Sequence, residues 1–269
     1  VGLGVVGFWL GRPAYRQWKQ DRLLALAREA MARGDLREAG LAARQTLKVN
    51  PGNLEACRLM AQITESLRLP AALDWWQRVV DLAPEALSNR LELARCSLLE
   101  GDAARAARVL EAAAPSQQTN AAWLQMAAMV AASLNRPAEA ERHLAEALRL
   151  DPTNRLIEVN RAILRLQARD PQVAEQARGA LEQLAADPTA RPHALRHLAL
   201  TAIQRGNFAA ALQYTKQLVA DRDARFADRL LHLQALRRGD PPAFESALAD
   251  LQRACSDDLT RVRMLAGWL

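Results

Sequence analysis

Cysteine is scarce in this 269-residue chain: Cys57, Cys96 and Cys255 are too few and too far apart for a disulfide framework or a CxxC metal site, and they read as small apolar residues. Glycine and proline number twelve each while half the residues are hydrophobic, which excludes a collagenous, low-complexity or fully disordered chain. Aromatic residues make up 4% and lysines are three (Lys19, Lys48, Lys216) among 36 basic residues, so the net charge of +6 is carried by arginine, most simply a base-composition effect. High basic charge without stacking aromatics is weak evidence for RNA binding, which stands only as an alternative. Catalytic spacings are missing too: no HExxH, GxSxG, P-loop or EF-hand pattern occurs. His193 and His197 lie four apart, where two imidazoles could share a metal, but no third ligand is near in sequence, and His143 and His232 are solitary. The expectation is therefore no enzyme, no metal, no cofactor and no small-molecule substrate.

What the chain does have is a period. Pro51, Pro84 and Pro152 each follow a run ending in leucine or valine (LKVNP, VDLAP, LRLDP), at separations of 33 and 68 residues. The turn signals Gly34-Asp35, Gly101-Asp102, Asn135-Arg136, Gly206-Asn207 and Gly239-Asp240 are separated by 67, 34, 71 and 33 residues, close to multiples of about 34. Within one period, as from Ala121 to Pro152, apolar residues recur every three or four positions on both sides of a central turn, which predicts helix, turn, helix. Small residues recur where two helices must approach: Ala27, Ala94, Ala128 and Ala199 in first helices, and Ala39, Ala72, Ala106, Ala140 and Ala211 in second helices.

Those residues resemble the tetratricopeptide repeat, a helical hairpin of 34 residues with small residues at its eighth and twentieth positions. Copies are expected near 20–53, 53–86, 87–120, 121–154, 153–191, 192–225 and 225–258. The second has Met60 where a small residue is expected, the third lacks its closing proline, and the fifth is stretched around Asp170-Pro171. The resemblance implies an all-α, right-handed superhelical solenoid of about seven hairpins with a concave inner surface. Residues 259–269 read as the start of a further helix, and the chain as a piece of a longer one.

Ahead of the repeats, Val1 to Leu10 carry no charge and are followed by Arg12, Arg16, Lys19 and Arg22. Gly2, Gly4 and Gly7 have GxGxxG spacing, but no strand precedes them and no βαβ unit follows, so no nucleotide site is expected. The aromatic and basic flank instead predicts that residues 1–19 are the end of a hydrophobic helix, a single membrane anchor of the kind found in bacterial-type membrane-anchored tetratricopeptide proteins. A signal-peptide core and a hydrophobic helix capping the first repeat are the alternatives, and the side of the membrane stays open.

In proteins of this family the ligand lies against the first helices. Carried onto this chain, the corresponding positions include Arg28, Arg58, Arg95, Arg161, Arg196 and Arg229, with Gln125, Met126 and Met129 in the fourth copy. Arginine pairs with carboxylates through two parallel hydrogen bonds, so such a ladder would suit an acidic or C-terminal segment of a protein partner. Leu164 and Leu200 would add apolar contact; Glu92 and Glu158 lie beside the ladder, and arginine is common enough here for it to arise by composition. The chaperone-type carboxylate clamp is not expected, since Leu24, Arg28 and Arg58 occupy its leading positions. The expected function is a non-enzymatic scaffold that captures a peptide or helix of a partner in its groove. The rival is a regulatory or targeting region of a larger enzyme.

Overall fold

The computed structural model describes the backbone of residues 2–255 and 259–269 and the side chains of 15–255 and 261–269. Those residues form fifteen α-helices and no strand. The chain divides into two compact units, one ending at His143 and one beginning at Leu144. The first holds α1 (Gly2–Ala32), α2 (Leu36–Val49), α3 (Leu54–Ser66), α4 (Ala71–Leu82), α5 (Leu87–Leu99), α6 (Ala103–Glu111), α7 (Ala121–Ser133) and the start of α8 (Pro137–Leu150). The second holds the rest of α8, then α9 (Arg155–Leu166), α10 (Pro171–Leu184), α11 (Arg191–Gln204), α12 (Phe208–Val219), α13 (Phe226–Gly239), α14 (Pro241–Cys255) and α15 (Leu259–Trp268).

Local chemistry sets where these helices stop and restart. Gly34, Gly101, Gly206, Asn135 and Arg68 all have positive φ. The residue after each donates its backbone N–H five positions back, as Asp35 does to Ala30 at 2.9 Å and Asn207 to Ala202 at 2.8 Å, which closes the preceding helix. Asp35, Asp102 and Asn207 then cap the following helix by accepting the backbone N–H of Glu38, Arg105 and Ala210. Gly239 differs. It is the last helical residue of α13, and a Cβ there would sit 2.8 Å from Leu212 Cδ1 and 3.1 Å from Phe208 Cβ. Its lack of a side chain serves close packing on α12.

The tight hairpins follow from alanine. Ala27, Ala61, Ala94, Ala128 and Ala199 are buried, each seven residues before a positive-φ residue. In the second hairpin that residue is Arg68, so the small side chain is Ala61 and the neighbouring Met60 packs among Leu24, Ala27, Ala43 and Leu59. Between the alanines sit the larger core residues, including Leu93, Trp76 and Val79 in the first unit and Leu181, Leu195, Leu218 and Leu233 in the second. Burial of each such side chain stabilises the fold by roughly 1.5–3 kcal/mol. Trp76 donates Nε1–H to Glu65 at 3.1 Å and Trp123 donates to the Leu110 carbonyl at 3.2 Å, so each indole satisfies its polar atom within the core. In the second unit Leu265 of α15 packs on Leu230, Leu233, Leu236 and Leu251.

The N-terminal membrane anchor is corrected by the structure. No helix among the described residues is long and apolar enough to cross a membrane. The reason lies in α1, which runs as one helix through Arg12, Arg16, Lys19, Asp21, Arg22, Arg28 and Glu29, so that the uncharged stretch is not a separate apolar element. The same helix buries Leu24, Ala27 and Ala30 against α2 and α3. The residue Val1 and the side chains of the apolar run lie outside the described residues.

Candidate functional site

In the first unit, α1, α3 and α5 carry three of the arginines picked out by position, and each is already engaged. Arg28 forms a two-pronged pair with Glu55, with Nη2 to Oε2 at 2.6 Å and a second contact from Nε to Oε1. Arg58 donates Nε–H and Nη2–H to Oδ1 of buried Asn89, at 3.2 and 2.9 Å. Arg95 donates Nη2–H to Glu65 at 2.7 Å and Nε–H to Glu92 at 2.8 Å. Arg28 and Arg58 thus reach forward from one first helix to the next, and Arg95 reaches back.

Arg58, Arg95, Gln62, Glu65, Asn89 and Glu92 line a cleft of about 510 Å³ between α3 and α5. The Arg95 guanidinium holds the Glu65 carboxyl below the ordinary carboxylate range; burial opposes this and the Trp76 N–H adds to it. The cleft therefore presents donors and acceptors whose positions are set by one another before any partner arrives. Arg58 differs from Arg95 in its acceptor, which is a neutral amide.

The other sequence-predicted residues are dispersed. Met126 is half-buried against the Leu110 cluster, Gln125 is half-buried, and Met129 is 44% exposed. Leu164 is half-buried and Leu200 exposed. In the second unit Arg196 pairs with Asp228, Nη2 to Oδ2 at 2.9 Å with a second contact from Nε to Oδ1. Arg229 is exposed and lines a separate cleft of about 370 Å³ with His232, Leu233 and Asp250. Arg161 lines a third, between α9 and α10. The structure thus brings Arg58 and Arg95 into one cleft and places Arg161, Arg196 and Arg229 in other settings.

No group of three histidine, cysteine or acidic side chains placed to hold a metal occurs among the described residues. Burial lowers the pKa of His193 and His197; Arg196 lowers His193 further, and His193 and Arg196 lower His197. His232 is taken up by Thr215, with Nδ1 2.9 Å from Oγ1. The acceptors Glu55, Glu65, Asn89 and Asp228 went unnoticed in the sequence. Their signal was an acidic or amide residue about one repeat from each arginine.

No protein-family model and no curated protein sequence matches the chain. Solved structures do match its fold. A tetratricopeptide repeat protein from Parabacteroides merdae superposes with a TM-score of 0.61 at 13% identity, covering 93% of this chain and 98% of that one. Yeast Tom70 superposes at 0.53 and 17% identity over 84% of this chain and 46% of its own length. MamA from Desulfovibrio magneticus superposes at 0.51 and 14% identity over 62% of this chain and 93% of that one.

Proposed function

From the tetratricopeptide-repeat fold that the chain shares with these structures, we propose that it is a non-enzymatic scaffold that captures a segment of a protein partner along its first helices. The observation that carries this reading is the cleft between α3 and α5, where Arg58 and Arg95 are held in place by Asn89, Glu65 and Glu92. Pre-ordered side chains lose less conformational entropy on binding than free ones, which favours recognition at a small polar site. Arg58 keeps its charge beside a neutral acceptor and would meet an acidic group of the partner, while Glu65, Glu92 and Ser88 accept or donate to its backbone.

Crosslinking capture from the host's own extract tests this, with wild type compared with Arg58→Ala, and with Arg149→Ala, at an exposed pair with Glu146 on the second helix α8, as a surface control. Capture of a partner by wild type and the control, and its loss in Arg58→Ala at unchanged helical circular dichroism, supports the reading. Equal capture by all three overturns it.

A further inference from the structure

In the α3–α5 cleft two arginines are matched by Glu65 and Glu92, and in the smallest cleft Arg229 is matched by Asp250. A fourth cleft in the first unit, of about 520 Å³ and bounded by α4, α5 and α6, is not balanced in this way. Arg90, Arg105 and Arg108 line it with one carboxylate, that of Asp102. Its volume falls within the range of small-ligand sites.

The sequence builds this cleft by helical spacing. Asp102, Arg105, Val109 and Ala112 stand three or four residues apart and so share one face of α6 from its cap onward. Arg90 and Leu93 of α5 are likewise three apart, while Glu92 and Arg95 of the same helix line the α3–α5 cleft. Buried Val80 and Leu93 and half-buried Val109 give the site an apolar floor.

The positive charge on this floor is not cancelled from within. Arg90 donates Nε–H to the Pro84 carbonyl at 3.1 Å, and Arg105 donates Nη2–H to Oε1 of Gln77 at 3.4 Å. Both acceptors are neutral, and the nearby Asp81 carboxylate is taken up by Nε2 of Gln77 at 2.9 Å. Asp102 caps α6 by accepting the backbone N–H of Arg105 at 2.8 Å. Among the described residues no carboxylate pairs with the guanidinium of Arg90, Arg105 or Arg108. Arg90 and Arg105 are half-buried, and a partly desolvated cation without a counter-charge is stabilised by an anion that enters beside it.

We propose that this cleft binds a phosphate monoester, with its head among Arg90, Arg105 and Arg108 and its apolar body on Val80, Leu93 and Val109. A phosphate monoester places about two negative charges and three strong acceptor oxygens on one centre, which matches the excess of cations over Asp102, whereas a single carboxylate supplies half that charge. The site does not rest on the reading given to the α3–α5 cleft.

The probe is 1-naphthyl phosphate, titrated calorimetrically into the whole chain. Saturable binding is expected. It should weaken about tenfold or more, the scale of one lost charged hydrogen bond, for 1-naphthalenesulfonate, which keeps the body and halves the charge, for inorganic phosphate, which lacks the body, and in Arg105→Ala and Arg108→Ala. Arg149→Ala removes one positive charge from an exposed pair elsewhere and should bind as wild type does. Should Arg105→Ala fail to fold, Ala112→Trp, at an exposed position, fills the cleft from its rim and should abolish binding. A capped phosphotyrosine tripeptide separates two sources of the same group: tighter binding than the free ester assigns the head to a phosphorylated protein segment, weaker binding to a small molecule, and both uphold the site. Absence of saturable binding, equal affinity for the sulfonate or for inorganic phosphate, or indifference to Arg108→Ala and Ala112→Trp overturns the proposal.

Discussion

Asp228 is 1% exposed, and it serves two masters at once: it accepts the Arg196 guanidinium from α11 and the backbone N–H of Arg225 at 2.8 Å at the start of its own helix. Removing one member of a buried pair leaves the other desolvated and unpaired, a loss of about 3–5 kcal/mol. Asp228→Ala should cost that much in urea-induced unfolding of the second unit, and the double variant with Arg196→Leu should recover part of it. A loss below 1 kcal/mol would show that water reaches the site.

The same carboxylate sets a pH dependence. Burial pushes the Asp228 pKa up, but Arg196 and the Arg225 N–H outweigh it and hold the group below its ordinary value of 3.8. Because the folded pKa is depressed, the stabilisation is fully present above the unfolded value and disappears as pH falls through the folded one. Wild type should therefore lose stability below about pH 4 more steeply than Asp228→Asn, as followed by thermal unfolding between pH 2.5 and 6.

Arg68 occupies the left-handed region at φ 52°. A side chain there costs roughly 1–2 kcal/mol, which glycine avoids at the expense of chain entropy. Arg68→Gly should raise the stability of the first unit by up to about 1 kcal/mol, and Gly34→Ala, at φ 78° with open space around it, should lower it by about 1 kcal/mol. Denaturant midpoints of the two variants check both signs.

Gly239→Ala acts by contact instead. The new methyl would meet Leu212 Cδ1 at 2.8 Å, which can swing aside, and Phe208 Cβ at 3.1 Å, which cannot. Overpacking of this kind costs about 1–3 kcal/mol, read as a lowered unfolding midpoint.

Cys57 and Cys96 are buried, and burial pushes both thiols up, Cys96 to about 11. Neither should react with a disulfide reagent at pH 8 in the folded chain, and both should react at once in denaturant. Reaction of either thiol under native conditions would reveal local opening of α3 or α5.

Much of this fold was legible because the signals are local. Gly34, Gly101, Asn135 and Gly206 announce a left-handed residue by type, and all four adopt it. Arg68 announces nothing, and for that reason the small residue of the second hairpin was sought at Met60 when Ala61 fills it. Arg161 was picked as a groove residue, and it lines the cleft between α9 and α10, where Ala162 beside it is the buried residue. The uncharged run at the N-terminus was read as an anchor from local hydropathy alone, and only the continuous charged helix beyond it shows otherwise. At the candidate site the arginines could be found by position, but their acceptors lie 27 to 32 residues away, and reading each copy by itself does not join such pairs.

The acceptors facing the arginines are not interchangeable: a carboxylate for Arg28, an amide for Arg58, two carboxylates for Arg95. Excising residues 54–86, the hairpin of α3 and α4, would remove Glu55 and bring Ser88 to its place opposite Arg28, and would take Glu65 from Arg95. Solenoids of identical units tolerate deletion because every interface is alike. Here the side chains that join one hairpin to the next also record which hairpin comes next, so the order of the copies is written into their contacts and a shortened chain would not read correctly.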